Sequence, residues 1–200
     1  MPEPVLAALR WPRRTERLRL RPATLDDVDA IHAYRGRPDV STFLSRDALS
    51  RDEVVARVGD RIARATLEAD RPVLGIAVED GATGRLVGDV MLALERSQSI
   101  TSLPTDEWEG VIGYAFHPDV HGRGFASEAA SELLALAFRE LGLRRVRADA
   151  FADNVASNRV LAKIGMRLEG TKRQAFLGEG GVWLDLNDWS ILRDEWTLQT

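Results

Sequence analysis

The chain contains no cysteine, which excludes disulfides, thiolate metal ligands and a cysteine nucleophile. Histidine is nearly as scarce: His32, His117 and His121 are too few and too poorly spaced for a zinc site. No apolar run approaches the ~20 residues of a membrane span, and the opening MPEPVLAALRWPRR has no apolar stretch of secretory type. A basic excess is missing as well. Lys+Arg 27 against Asp+Glu 31 gives a net charge of −4, which disfavours broad binding to nucleic-acid phosphates. There is no Gly-x-Ser-x-Gly elbow for a serine nucleophile. The expectation is a soluble cytoplasmic protein with no metal, no nucleic acid and no membrane among its partners.

What is present describes an ordinary globular chain: 200 residues, 44% hydrophobic and 29% charged, enough for one domain with a sizeable core. The first 14 residues, with three prolines, read as a loosely attached arm, and 15–200 as a single domain. Thr15 to Arg21 alternates as a half-exposed strand with Leu18 and Leu20 inward. Thr24 caps a helix with Leu25, Val28 and Ile31 inside, closed by Gly36 and Pro38. Ser50 to Glu53 is a capping box before Val54, Val55, Val58, Ile62 and Ala65 at helical spacing. Pro72–Glu79 and Arg85–Leu94 form a hairpin, followed by a polar loop from Glu95 to Asp106. Val111 to Phe116 is apolar on both faces, like a central strand. A helix then runs from Ala126 to Leu141 with Gly142 at its end, followed by the strand Arg145–Phe151. That order implies a right-handed crossover to a parallel neighbour. A short helix from Asn154 to Gly165 and strands at Met166–Glu169 and Gly181–Leu192 complete the sheet.

Between strand and helix lies His121-Gly122-Arg123-Gly124-Phe125-Ala126. It is neither a Walker loop, since no Gly-Lys-Ser/Thr follows, nor a dinucleotide fingerprint, since the third glycine is missing. Two readings of these glycines stand. They permit a tight turn, or they bring unpaired amides and a helix N-terminus to a phosphate-bearing ligand.

The run from Gly113 to Ala126 resembles motif A of the GCN5-related N-acetyltransferases, whose pattern is Gln/Arg-x-x-Gly-x-Gly/Ala. Here His121 stands at the first position, and Gly124 and Ala126 match. Asn154-Val155-Ala156-Ser157-Asn158 and Leu161-Ala162-Lys163-Ile164-Gly165-Met166 resemble signatures of the RimJ/RimL branch. The resemblance implies an α/β (α+β type) fold, a mixed and mostly antiparallel sheet flanked by helices, with its central parallel strands splayed. It implies acetyl-CoA as co-substrate, its pyrophosphate on the backbone from Gly122 through Arg123, Gly124 and Phe125 to Ala126, next to His121. The pantetheine arm would pair with backbone around Phe116, His117 and Pro118 and with Asn154. Ser157 would protonate or stabilise the leaving thiolate. Read without the resemblance, Ser157 only serves local backbone bonding in a helix capped by Asn154, and Arg159 is a solvated helix face.

Direct transfer also needs a proton acceptor for the amine. Period-two alternation puts Glu109, Val111, Gly113 and Ala115 on one strand face. Many relatives carry a glutamate where Val111 stands, so Glu109 is the leading candidate, Asp89 the second, with an exposed strand acid as the plain alternative. Tyr114 points the other way and reads as core. Acids at Asp106, Glu107 and Glu109 would suit a cationic acceptor. Trp108 is placed near a substrate pocket; Trp183, Trp189 and Trp196 against the C-terminal strands; Trp11 on the arm, folded back or against another subunit. Leu177 to Gly181 is a hairpin turn or part of an acceptor rim. The expected activity is acetyl transfer to a primary amine, on a small molecule or a protein N-terminus, in a ternary complex. The family also allows a homodimer. Another acyl-CoA donor such as succinyl-CoA, a non-catalytic CoA-binding protein and a nucleotide-binding module are the rivals.

Overall fold

A computed structural model describes residues 9–44, 48–66, 69–97 and 108–197. Strand β1 (Arg13–Arg14) pairs with β2 (Leu18–Pro22), so the end of the expected arm is fastened to the sheet. Leu9 and Trp11 pack on the core, and Arg13 reaches Glu132 at 2.5 Å and Glu140 at 2.6 Å. A 3₁₀ turn at Leu25–Asp27 leads into α1 (Val28–Arg35), the Asp27 carboxylate accepting from the Thr24 amide at 2.8 Å. The short α2 (Pro38–Ser41) precedes α3 (Arg51–Ala63), where Ser50 and Glu53 satisfy each other's backbone donors as a capping box does. Leu25 and Ile62 are exposed rather than inward. The stripe facing the sheet is narrower than the apolar pattern suggests.

Strands β3 (Val73–Asp80), β4 (Leu86–Arg96), β5 (Trp108–Phe116), β6 (Arg145–Phe151), β7 (Arg167–Leu177) and β8 (Trp183–Leu192) complete an eight-stranded sheet in the order β1-β2-β3-β4-β5-β6-β8-β7. Helix α4 (Phe125–Ala135) runs on through a wide π turn at Leu136–Glu140 to Gly142, whose φ of +64° ends it. Helix α5 (Val155–Lys163) joins β6 to β7, and α6 (Arg193–Thr197) follows β8. Strand β7 is longer than Met166–Glu169 and exposed along its length, because it is the sheet's edge. Its polar sequence, EGTKRQ, suits an edge and hides the strand from a hydrophobic pattern. The Leu177–Gly181 stretch is the turn of the β7–β8 hairpin, and Trp183 beside it is exposed, unlike the partly buried Trp189 and Trp196.

Two helical layers cover the sheet. Helix α4, with Leu161 and Ile164, packs against Val90, Leu92, Ile112, Phe116, Val146, Ala148 and Ala150. Helices α1 and α3 form a second cluster on the other face around Tyr34, Val54, Val58 and Ala115. Every ladder is antiparallel except β5–β6, which pairs only at Gly110–Val146 and Val111–Arg147. Beyond those pairs, Ile112–Phe116 and Ala148–Phe151 have no partner in each other. The sheet therefore opens at its centre.

Candidate active site

The glycine loop follows β5. Pro118–Val120 makes one 3₁₀ turn, Gly122 and Gly124 take φ of +76° and +79°, and Phe125 starts α4. Those angles lie in the left-handed region that glycine enters without strain. A Cβ built at Gly122 would meet nothing within 4 Å, so what glycine supplies there is conformation, and the space beside the loop stays open. Among the described residues, the amides of Gly122, Gly124, Phe125 and Ala126 have no protein acceptor, whereas that of Arg123 donates to the Val120 carbonyl at 3.3 Å. Four open donors at a helix N-terminus suit a phosphate group. His121 sits 3.1 Å from the Phe116 carbonyl and holds the loop to the strand end. Phe116 and Phe125 are buried core residues, so only their backbones are offered to a ligand. Arg123 stacks on the Phe125 ring (4.4 Å) and lies 3.5 Å from Asp80. Its charge is thus fixed at the mouth of the loop.

The opening between β5 and β6 is a cavity of about 300 Å³ that reaches both faces of the sheet. On the α5 side it is lined by Tyr114, Asn154, Ser157 and Leu161. The Asn154 side chain accepts from the Ser157 amide at 3.0 Å, capping α5 as its position predicts. Asn158 donates to the carbonyls of Phe151 and Asn154 and accepts from Asn187 and Trp189, locking α5 to the strands. Arg159 is exposed. The Ser157 hydroxyl lies 2.9 Å from the Tyr114 hydroxyl. Alternation along β5 puts Tyr114 opposite Glu109, as expected, but Tyr114 lines the cavity rather than plain core. Burial pushes the Tyr114 phenol up to about 12, so it stays protonated and able to donate at any ordinary pH.

On the α1/α3 side the cavity is walled by Arg35, Arg57, Arg61, Met91, Val111 and Asp149. Both carboxylates expected to act as bases are held in ion pairs, and neither lines this cavity. Glu109 is buried among Arg144 at 2.6 Å and Arg145 and Arg147 at 3.5 Å each, so its lone pairs serve ion pairs. Asp89, 1% exposed, accepts from the Tyr34 hydroxyl (2.6 Å), from Nε and Nη2 of Arg35 (2.6 and 2.7 Å) and from Nη1 of Arg61 (2.9 Å). Burial opposes its charge, but the two guanidinium groups prevail and hold the carboxyl far below the usual range. Asp106 and Glu107 lie outside the described residues. Trp108 is buried beneath the Arg96 guanidinium, 3.9 Å from the ring centre, and does not line the cavity.

Asp149 is the acid that reading the strand alone does not single out. It lies on β6 directly across from Asp188 on β8. Desolvation, then the neighbouring Asp188, pushes its carboxyl up, while Lys172 and Arg147 pull the other way. A signal existed in the alternation of Arg145, Arg147 and Asp149 opposite Val146, Ala148 and Ala150. What the sequence hides is which strand supplies the wall of the opening.

An eight-stranded mixed sheet that opens at its one parallel pair, with an amide-lined loop at one end of the opening, is the arrangement that the resemblance to the N-acetyltransferases implies. Comparison with known proteins agrees: the acetyltransferase (GNAT) domain model matches residues 17–167. The chain is 30% identical over 179 residues to the uncharacterized N-acetyltransferase YoaA of Bacillus subtilis (strain 168), covering 90% of this chain and 95% of that one. The crystal structure of a GNAT-family acetyltransferase from Bacillus anthracis superposes with a TM-score of 0.76 at 26% identity, covering 92% and 99% of the two chains. RimL, a ribosomal L7/L12 alpha-N-protein acetyltransferase in complex with coenzyme A, superposes with a TM-score of 0.74 at 21% identity, covering 90% and 97%. The chain belongs to the GNAT acetyltransferase family.

Proposed function

We propose that the protein transfers the acetyl group of acetyl-CoA to a primary amine by direct attack within a ternary complex. One observation carries this reading: a single cavity through the sheet has Ser157 and Tyr114 on one face and Asp149 on the other. Donor and acceptor can thus enter from opposite sides and meet between β5 and β6. The open amides of Gly122, Gly124, Phe125 and Ala126 hold the pyrophosphate, and the Asn154 side chain with the backbone around Phe116, His117 and Pro118 aligns the arm that follows.

Acetyl-CoA supplies an activated acyl group as a thioester. The protein's own groups handle charge and protons. A primary amine arrives protonated and must lose one proton before its lone pair can attack. Asp149, its carboxyl raised toward neutrality by burial and Asp188, takes that proton directly or through a water. As the C–N bond forms and the C–S bond breaks, negative charge moves to sulfur, where the paired hydroxyls of Ser157 and Tyr114 stabilise it. A phenol at about 12 is a weaker acid than an alkyl thiol at about 8.5. Tyr114 therefore donates a hydrogen bond, without surrendering its proton, and keeps the Ser157 hydroxyl aimed. The second proton lost by the amine nitrogen balances the thiol released. Glu109 and Asp89 take no proton in this scheme. Steady-state assays of thiol release with Ser157→Ala, Tyr114→Phe and Asp149→Asn test it: each lowers kcat about 10-fold or more, with KM for acetyl-CoA little changed. Full activity in Asp149→Asn would remove Asp149 from the mechanism.

A further inference from the structure

Three guanidinium groups and one carboxylate line the central cavity. The cations sit together: Arg35 comes from α1, and Arg57 and Arg61 lie one turn apart on the same side of α3. Asp149 stands on the far wall, on β6. Behind Arg35 and Arg61, among the described residues, Asp89 is their one carboxylate partner, gripping Arg35 side-on through two bonds and Arg61 through one. One carboxylate against two guanidiniums leaves a net positive charge in a wall that is nearly out of water, since Arg35 and Arg61 are 5% and 9% exposed.

Arg61 is the sharper case. Among the described residues Asp89 is its one hydrogen-bond partner, made through Nη1, so Nε and Nη2 still have donors to give. The placement is built, since the Arg61 stem lies over Gly75 on β3, where a Cβ would come within 2.9 Å of its Cδ. A fork with open donors, braced from behind and set on a cavity wall, is the geometry that receives a carboxylate in charge-assisted fashion. A buried cation is costly without a counter-charge, and a substrate anion would supply one.

We infer that the acceptor amine carries a carboxylate, received by Arg61 with Arg57 beside it, while the amine end faces Asp149 and the thioester. The acidic residues near the 95–106 loop favour a cationic acceptor on sequence grounds; the arginine wall on the α1/α3 side of the cavity favours an anionic tail instead. This inference rests on the transferase reading above. The same carboxylate chemistry could enter on the acyl chain, as in succinyl-CoA. The arginines lie on the α1/α3 face, across the sheet from Ser157, which assigns the carboxylate to the acceptor.

The test uses three amines of one length, 5-aminopentanoate, pentylamine and 1,5-diaminopentane, which end in a carboxylate, a methyl and an ammonium. Shorter and longer ω-amino acids scan the span. With acetyl-CoA and the full-length protein, the best ω-amino acid should exceed its uncharged counterpart in kcat/KM by about 10-fold or more, and the diamine should be poorest. In Arg61→Gln that preference should collapse toward unity. Arg57→Gln should weaken it, and should this be the better-folded variant it serves alone, because the wild-type ratio already tests the inference. Equal rates for the three amines, or preference for the diamine, would overturn the carboxylate while leaving the transferase reading intact. Preference for succinyl-CoA over acetyl-CoA with pentylamine would overturn its assignment to the acceptor. Thiol release with none of these amines, nor with any other primary amine, would instead defeat the transferase reading itself.

Discussion

Replacing Asp89 with asparagine isolates the strongest electrostatic element of the fold. The carboxylate is 1% exposed and accepts four hydrogen bonds, one from Tyr34, two from Arg35 and one from Arg61. Asparagine keeps one acceptor oxygen and turns an NH₂ toward cationic donors, leaving two buried guanidinium groups without their counter-charge. Removing one partner of a buried, hydrogen-bonded ion cluster costs about 3–5 kcal/mol, a large share of the roughly 5–15 kcal/mol typical of a domain. Equilibrium urea unfolding at neutral pH should show the midpoint falling with an unchanged slope. The pH dependence follows from the sign of the shift. Because the folded carboxyl is depressed, its contribution is complete above the unfolded value of about 3.9 and is lost only as pH falls through the much lower folded value. The difference between wild type and Asp89→Asn should thus stay constant from neutrality to about pH 5 and narrow only below about 4. A loss under about 1 kcal/mol would refute the reasoning, as it would mean that Asp89 behaves like a surface ion pair.

Four further outcomes follow from the same geometry. Gly124→Ala forces a φ of +79° on a residue with a Cβ, costing about 1–2 kcal/mol and raising KM for acetyl-CoA in steady-state assays. Glu109→Gln loosens the Arg144, Arg145 and Arg147 cluster but leaves kcat within about 3-fold, because that cluster lies outside the cavity. A kcat/KM profile should rise with pH on an acidic limb displaced upward from an ordinary carboxyl, as Asp149 ionises, and Asp149→Asn should remove that limb. In Tyr114→Phe, kcat should fall about 10-fold or more, with little change in KM for acetyl-CoA; an equal rise in KM would reassign Tyr114 to cofactor binding.

Legibility followed the range of the interactions. The caps at Thr24, Ser50 and Asn154 and the alternation of Leu18 and Leu20 are local, and could be read directly. So could the glycine loop, since its angles are set by residues next to one another. The unpaired stretch of β5 and β6 came only through family resemblance, because no pattern within either strand announces a missing ladder. Alternation put Tyr114 and Glu109 on opposite faces of β5 correctly, yet it could not say which face opens onto the cavity. The ion pairs of Glu109 are hidden for a related reason: three arginines from the 144–147 stretch converge on it only after the crossover through α4. Asp89 needed Arg35 and Arg61, 54 and 28 positions away, to be recognised as an anchor. Strand β7 runs past the Met166–Glu169 pattern because an exposed edge strand has no apolar face to display.

The proposed transfer brings an acetyl thioester and an amine together in the opening between β5 and β6. Incubating the protein with acetyl-CoA and a panel of primary amines, and following free thiol together with the mass of the amine product, tests it directly. Thiol and N-acetylated amine should appear in equal amounts, and both should fall together in Ser157→Ala and Asp149→Asn. Thiol released without an acetylated amine, or acetylation undiminished in both variants, would contradict it.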